Sequence, residues 1–145
     1  MERNLSLNLH VLTARLDRAA DRILRAEHNI SYSRFVALTL VGELGASTQR
    51  TLAESLGVTE PSVSRMTAVL AADGLLDAQP DPAGGNRRRL SLTEEGKRLV
   101  TSIQQGLEER LATVVTHSGV PYAEYARQTA RLLATFERLE QEAAK

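Results

Sequence analysis

Residues 51–96 constrain the fold of this 145-residue chain more than any other stretch. Their first part, TLAESLGVTEPSVSRMTAVLAADGLL, contains two short segments with helical apolar spacing on either side of Gly57. Where two helices meet at a tight turn, a small residue such as Ala53 lets them touch. Glycine accepts the positive φ of the turn, and an apolar residue such as Val63 locks the second helix. We expect further apolar residues to anchor the first helix and fill the turn: Leu52, Leu56 and Val58. This spacing predicts a helix-turn-helix.

The second predicted helix has two distinct faces. Thr59 is a suitable N-cap, and Glu60 and Pro61 fit the first turn, where the missing amide hydrogen of proline costs nothing. At about 100° per residue, one face belongs to the core and consists of Val63, Met66, Thr67 and Leu70. The opposite face is small and polar, with one arginine, and consists of Pro61, Ser64, Arg65 and Ala68, flanked by Ser62. Such a face suits a DNA major groove, about 12 Å wide, in which serine and arginine bond phosphates or base edges. An ordinary amphipathic surface helix is the alternative.

A β-hairpin is predicted directly after this helix. Residues 75–80 and 88–92 have strand-like patterns, and residues 81–86 between them are turn-forming. The arginines of the hairpin can reach into the narrower and more negative minor groove. The DNA contacts expected here are Asn86, Arg87 and Arg88. Together with the preceding helices, this hairpin predicts a winged helix-turn-helix; a solvated turn with arbitrary charge is the alternative.

Long helices with apolar stripes are predicted on both sides of this module, at residues 5–26, 31–44, 93–114 and 122–140. The fold class is therefore mainly α with a small β-hairpin wing. The terminal helices are too long and too apolar to be covered by so small a module, which favours pairing with a second copy of the chain. We accordingly expect one domain, 1–145, with dimerisation helices at 1–30 and 97–145 and a DNA-binding lobe at 31–96. An intramolecular bundle in a monomer is the alternative.

The composition excludes several classes of protein. The chain has 18 basic and 18 acidic residues and no cysteine. Net neutrality alone argues mildly against DNA binding, but a phosphate senses charge mainly within about 8 Å in physiological salt, so the local basic run outweighs the total. The absence of cysteine excludes disulfides and thiol redox sensing. No apolar run approaches the roughly 20 residues of a membrane span, and no signal peptide is evident, so we expect a cytoplasmic protein without a membrane partner.

Neither catalysis nor metal binding is expected from the sequence. It contains no nucleophile paired with a base, no convincing pair of carboxylates and no phosphate-binding glycine loop followed by lysine. The three histidines, His10, His28 and His117, are too scattered to suggest a metal site. We therefore expect no cofactor, no metal and no enzymatic activity.

The segments LAESLGVTEPSVSRMTAVLAADGLL, DP and LSLTEEG, in this order and spacing, resemble the MarR family of bacterial transcription regulators. The flanking helices also match the layout of that family. The resemblance implies a homodimer that presents a recognition helix and a wing to each half of a near-palindromic operator, usually as a repressor. It also implies release from DNA by a small, often aromatic or phenolic, ligand. The residues carried over by motif as recognition-helix contacts are Ser62, Ser64 and Arg65.

The wing departs from the family pattern. Family wings usually read D-R-R before the second strand, whereas the matching positions here are Gly84, Gly85 and Asn86, and the arginines follow one step later. Either the hairpin register has slipped by one residue, or the tip contacts DNA differently. A winged-helix protein-interaction module without DNA binding is therefore the alternative function. An effector pocket would be lined by the first, second and fifth helices, with His10, Tyr32 and Arg34 as candidates.

Overall fold

A computed structural model describes residues 4–45, 47–85 and 87–145. The helices are α1 (Leu5–His28), α2 (Tyr32–Leu44), α3 (Gln49–Leu56), α4 (Glu60–Ala72), α5 (Glu94–His117) and α6 (Tyr122–Ala143). The strands are β1 (Ser47–Thr48), β2 (Leu76–Pro80) and β3 (Arg88–Leu92). The predicted class, mainly α with a small β-hairpin, is confirmed. The predicted Asn86 contact lies outside the described residues.

The chain divides into two compact units, Met1–Gln104 and Gln105–Lys145. The first unit contains α1 to α4, the sheet and the first part of α5. The second unit contains the remainder of α5 and all of α6.

Side-chain caps determine where the helices of the first unit begin. The hydroxyl of Ser31 accepts from the N–H of Arg34 at the start of α2, and Thr59 caps α4 by accepting from the N–H of Ser62. The Thr59 cap agrees with the sequence analysis, and both caps satisfy backbone donors that a helix leaves unpaired. Gly57 ends α3 in the left-handed region, with φ 68°, as the predicted turn requires.

The core of the first unit is mainly aliphatic. On α2, Phe35, Leu38 and Val41 are buried, whereas Leu40 is only partly covered. The helix-turn-helix core also agrees with the sequence analysis, because Leu52, Ala53 and Val63 are buried.

The prediction that the side chain of Val58 fills the turn is wrong. Its backbone N–H bonds the carbonyl of Ala53 at 3.1 Å to close α3, and its side chain is 45% exposed. The left-handed turn at Gly57 uses the backbone of the following residue to complete the helix end. The interior of the helix pair is instead occupied by Leu52 and Val63, both at 0% exposure.

The hairpin belongs to a three-stranded antiparallel sheet with the order β1-β3-β2. In the wing, Ala78 pairs with Leu90 and Pro80 with Arg88. The short strand β1 pairs with the other edge of β3, with Thr48 opposite Arg89. This pairing brings the start of α3 beside the middle of β3.

The SLTEEG segment locks the start of α5 to the end of α4. The Thr93 hydroxyl accepts from the N–H of Gly96 at 3.0 Å and donates to the carbonyl of Gly74 at 2.7 Å. The N–H of Thr93 also bonds the carbonyl of Leu75 at 3.2 Å. A Cβ at Gly96 would lie 2.1 Å from that carbonyl oxygen, so the close approach requires glycine.

The second unit leaves a large apolar surface uncovered. Within it, the Tyr122 hydroxyl donates to Glu108. One side of α6 carries large apolar side chains that are 50–66% exposed: Leu132, Leu133, Phe136 and Leu139. A contiguous apolar face of this kind marks an interaction surface more often than ordinary solvent-facing surface.

Candidate nucleic-acid interface

The two faces of α4 lie as its sequence periodicity indicates. Its inner face packs against α3 and contains three buried side chains, Val63, Thr67 and Leu70, with Met66 partly covered. On the outer face, Pro61, Ser64, Arg65 and Ala68 are exposed, and Ser62 is half-buried. Hydrogen-bonding groups and small side chains are thus presented together on one accessible helix face.

Two hydrogen bonds order the polar groups at the start of α4. Nη2 of Arg65 donates to Oγ of Ser62 at 3.3 Å. Ser62 is itself in the capped turn, where its N–H donates to Thr59. Arg65 retains further N–H donors for an external acceptor, because a guanidinium carries five.

A buried polar pair holds α4 against α3. Thr67 is 2% exposed, and its hydroxyl accepts from the Gln49 side-chain amide at 3.0 Å. The same hydroxyl donates to the carbonyl of Ser64 at 3.1 Å. This bond connects the start of α3 to the turn of α4 that carries Ser64, so the pair positions the outer face of the helix.

A cleft of about 660 Å³ opens between α4 and the wing. Its walls come from the start of α3, the first two turns of α4 and the start of β3, next to the turn of the wing. The lining residues are Thr48, Gln49, Arg50, Glu60, Pro61, Ser64, Arg87 and Arg88. Three arginines face this cleft from different elements, which makes it suited to binding a polyanion such as a phosphodiester backbone.

The predicted wing arginines lie at the outer end of the hairpin, where its two strands meet the turn. The carbonyl of Arg87 accepts from the N–H of Asp81 at 3.0 Å, and Arg88 is the first residue of β3. Both side chains are exposed. The tip beyond them contains Gly84 and Gly85, at φ 90° and 77°. The arginines therefore border the cleft beside α4, and small residues occupy the tip.

The sequence did not indicate four polar residues that share this cleft: Thr48, Gln49, Arg50 and Glu60. Glu60 was interpreted only as a helix-start residue. Gln49 and Arg50 reach the cleft because β1 pairs with β3, and a two-residue strand leaves no recognisable periodicity. Nε of Arg50 also forms an ion pair with Glu54 at 3.4 Å.

The three candidates for an effector pocket lie on α1 and α2. His10 borders a shallow depression on α1 together with Leu9, Thr13, Ala14 and Asp17, whereas Tyr32 and Arg34 lie on the first turn of α2. The phenol of Tyr32 is connected to α1 by a hydrogen bond with Asp17. Partial burial, together with the charge of Asp17 and this hydrogen bond, raises the pKa of the phenol. The backbone N–H of Tyr32 also donates to Asp21 at 2.9 Å.

In residues 4–45, 47–85 and 87–145, no group of three or more His, Cys, Asp or Glu side chains is arranged to hold a metal ion. None of the helices in the described part of the chain is both long enough and apolar enough to cross a membrane.

The helix-turn-helix, the wing and the cleft between them define a winged-helix module of the kind that binds nucleic acid. A family model described as the MarR family matches residues 28–85. An HTH-type transcriptional regulator of Mycobacterium bovis is 35% identical over 114 residues, which cover 76% of this chain and 79% of the relative. One from Mycobacterium leprae is 33% identical over the same length and with the same coverage.

Solved structures match the fold. Wild-type apo MarR from E. coli superposes with a TM-score of 0.80 at 20% identity, over 93% of this chain and 98% of that one. MepR from S. aureus in complex with DNA gives a TM-score of 0.72 at 23% identity, over 95% and 99%. The chain belongs to the MarR family of transcriptional regulators, and it carries the family's winged-helix DNA-binding module.

Proposed function

We propose that this protein is a homodimeric, sequence-specific DNA-binding repressor that a small ligand releases from its operator. The observation that carries the proposal is the cleft between α4 and the wing, with Arg50, Arg87 and Arg88 on its walls and Ser64 on its α4 side. We propose the sequence-predicted set as the DNA contacts: Pro61, Ser62, Ser64, Arg65, Ala68, Asn86, Arg87 and Arg88. Double-stranded DNA fits because α4 offers donors for base edges, while the arginines supply positive charge for phosphates.

Dimerisation is supported by the uncovered apolar side chains of α6, and separately by Leu5, Leu9 and Leu12 on α1, which are also exposed. Burying such faces against a second copy is the commonest way in which soluble chains cover them. The proposed boundaries are those expected from the sequence, with dimerisation helices at 1–30 and 97–145 and a DNA-binding lobe at 31–96. A two-fold dimer would present two copies of α4 to one near-palindromic operator.

The proposal of ligand release starts from Tyr32, on the first turn of α2. Tyr32 combines a half-buried phenol with a link to α1 through Asp17, so a ligand near it could change how α1 and α2 pack. His10 and Arg34 complete the candidate set. Binding of a small phenolic acid should raise the melting temperature of the free protein and weaken its binding to DNA.

The test of DNA binding is a fluorescence-anisotropy titration of the full-length protein with duplex DNA that flanks its own gene. Arg65→Ala should weaken binding roughly 5- to 150-fold, as expected for loss of an arginine contact worth about 1–3 kcal/mol. Arg98→Ala is a matched control, because Arg98 is exposed on α5 and does not line the cleft. Light scattering of the same samples measures whether each variant remains a dimer.

The salt dependence of the same titration separates the two candidate functions. In a plot of the logarithm of the binding constant against the logarithm of the salt concentration, the slope should steepen by about 0.9 for each phosphate that the protein neutralises. An absence of salt-dependent binding by the wild-type protein would favour the protein-interaction alternative. Unchanged affinity of the Arg65→Ala variant would contradict the proposed role of α4.

A further inference from the structure

Glu60 is an acidic residue in an otherwise basic and neutral cleft. It is the first residue of α4 and is exposed. Among the described residues that line the cleft, it alone carries a carboxylate, and it shares those walls with Arg50, Arg87 and Arg88. A carboxylate at this position repels the phosphates of any duplex that enters, so it lowers affinity for DNA in general.

The contacts within the protein do not account for this carboxylate. No described residue forms a hydrogen bond or an ion pair with the side chain of Glu60, although three arginines line the same cleft. Arg50 pairs instead with Glu54, on its own helix. The helix start is already capped by Thr59, so the local role left to Glu60 is a favourable interaction with the helix dipole. That role would be served equally well by an acidic residue facing away from the cleft.

The chemistry of DNA limits the groups from which the Glu60 carboxylate can accept a hydrogen bond. An ionised carboxylate is only an acceptor, and residues at the start of a recognition helix approach base edges in the major groove. The donors on those edges are the amino groups of cytosine N4 and adenine N6. In adenine the amino group lies beside the acceptor N7, which repels a carboxylate, whereas the neighbouring position of cytosine is a C–H. Cytosine is therefore the favoured partner.

We propose that Glu60 is a specificity-determining residue that accepts a hydrogen bond from cytosine N4 in the operator and weakens binding to duplexes without that base. The inference rests on the proposed DNA binding, and it names one base of the operator that the protein recognises. Its physical basis is a difference in affinity: the carboxylate is repelled by every backbone and is compensated only where an amino group faces it.

The test is selection of binding sites from a randomised duplex library with the full-length protein. Wild type should enrich sites with cytosine at one position in each half-site, with a preference of roughly tenfold over other bases. Glu60→Ala should lose that preference and bind random duplex more tightly than wild type. Glu60→Gln should shift the same position from cytosine toward adenine, since a glutamine amide pairs with adenine N6 and N7.

Glu94→Gln is the matched control. Glu94 also lies in the first turn of a helix, is exposed, and loses the same charge on substitution, but it pairs with Lys97 and does not line the cleft. This variant should keep the wild-type site. Thermal melts of all variants measure the stabilisation that comes from the helix dipole. If the role of Glu60 were purely structural, substituting it would change the melting temperature without altering the base preference.

The outcomes separate the inference from the proposal on which it rests. If wild type enriches no sequence, the proposed operator binding is wrong, and the inference fails with it. If wild type enriches a site and both Glu60 variants enrich the same bases at every position, only the inference is overturned. A change at a position where wild type prefers a base other than cytosine overturns the assignment to cytosine.

Discussion

Replacing Gly96 with alanine tests how closely the start of α5 is fitted against the start of β2. Helix propensity alone predicts that Gly→Ala inside a helix stabilises by up to about 1 kcal/mol. The structure predicts the opposite, because the new Cβ would lie 2.1 Å from the carbonyl oxygen of Leu75 and 3.1 Å from its carbon. The neighbour that must move is backbone, which cannot change rotamer.

The expected magnitude follows from these distances. Reaching an ordinary contact of 3.4 Å requires an opening of about 1.3 Å between α5 and Leu75. Overpacking of this kind costs about 1–3 kcal/mol. Weakening of the bond from the N–H of Thr93 to the Leu75 carbonyl adds about 0.5–1.5 kcal/mol. After subtraction of a propensity gain of about 1 kcal/mol, we expect Gly96→Ala to lower the free energy of unfolding by about 0.5–3.5 kcal/mol.

Urea denaturation followed by circular dichroism, at a fixed protomer concentration, measures this loss. Gly106→Ala, further along α5, is the control, since a Cβ there meets no described atom within 4 Å and its φ is not positive. It should stabilise by up to about 1 kcal/mol. A Gly96→Ala variant as stable as wild type would refute the argument from close approach, and equal shifts in both variants would show that propensity alone decides.

Two further changes test other contacts of the first unit. Thr67→Val should lower the free energy of unfolding by about 1 kcal/mol, because the Gln49 amide loses its buried partner; a double-mutant cycle with Gln49→Ala that gives no coupling would contradict this. The backbone N–H of Tyr32 and the guanidinium of Arg25 hold the pKa of Asp21 below its usual value. A lowered native pKa stabilises the fold above the unfolded value near 3.8, and this stabilisation is lost as pH falls through the native pKa. Asp21→Asn should therefore be less stable than wild type at pH 7, and acid titrations of stability should show this difference disappearing as pH falls through the lowered native pKa.

Features that depend on neighbours in the chain were predictable from the sequence. The caps at Ser31 and Thr59 and the left-handed turn at Gly57 each need only a few adjacent residues. The faces of α4 follow from helical periodicity over residues 61–70. These features fix the outer surface of the recognition helix, which is why its candidate contacts could be named in advance.

Features that depend on tertiary pairing were not predictable. The cleft acquires Gln49 and Arg50 through the pairing of β1 with β3, which joins residues about 40 positions apart. Val58 was misassigned because its apolar side chain suggested burial, whereas its backbone N–H is what the turn uses. The role of Gly96 in SLTEEG likewise becomes apparent only once Leu75 is seen against it.

A chain of zero net charge can still carry a cleft for a polyanion, because charges act over short distances in salt. Screening limits the influence of an exposed charge to about 8 Å at physiological ionic strength. A phosphate in the cleft is therefore close to Arg50, Arg87 and Arg88, while acidic residues on other elements are largely screened. Glu60 is the exception, since it lies within the cleft itself. The balance between these four side chains, rather than the charge of the whole chain, should set both the affinity for DNA and its dependence on sequence.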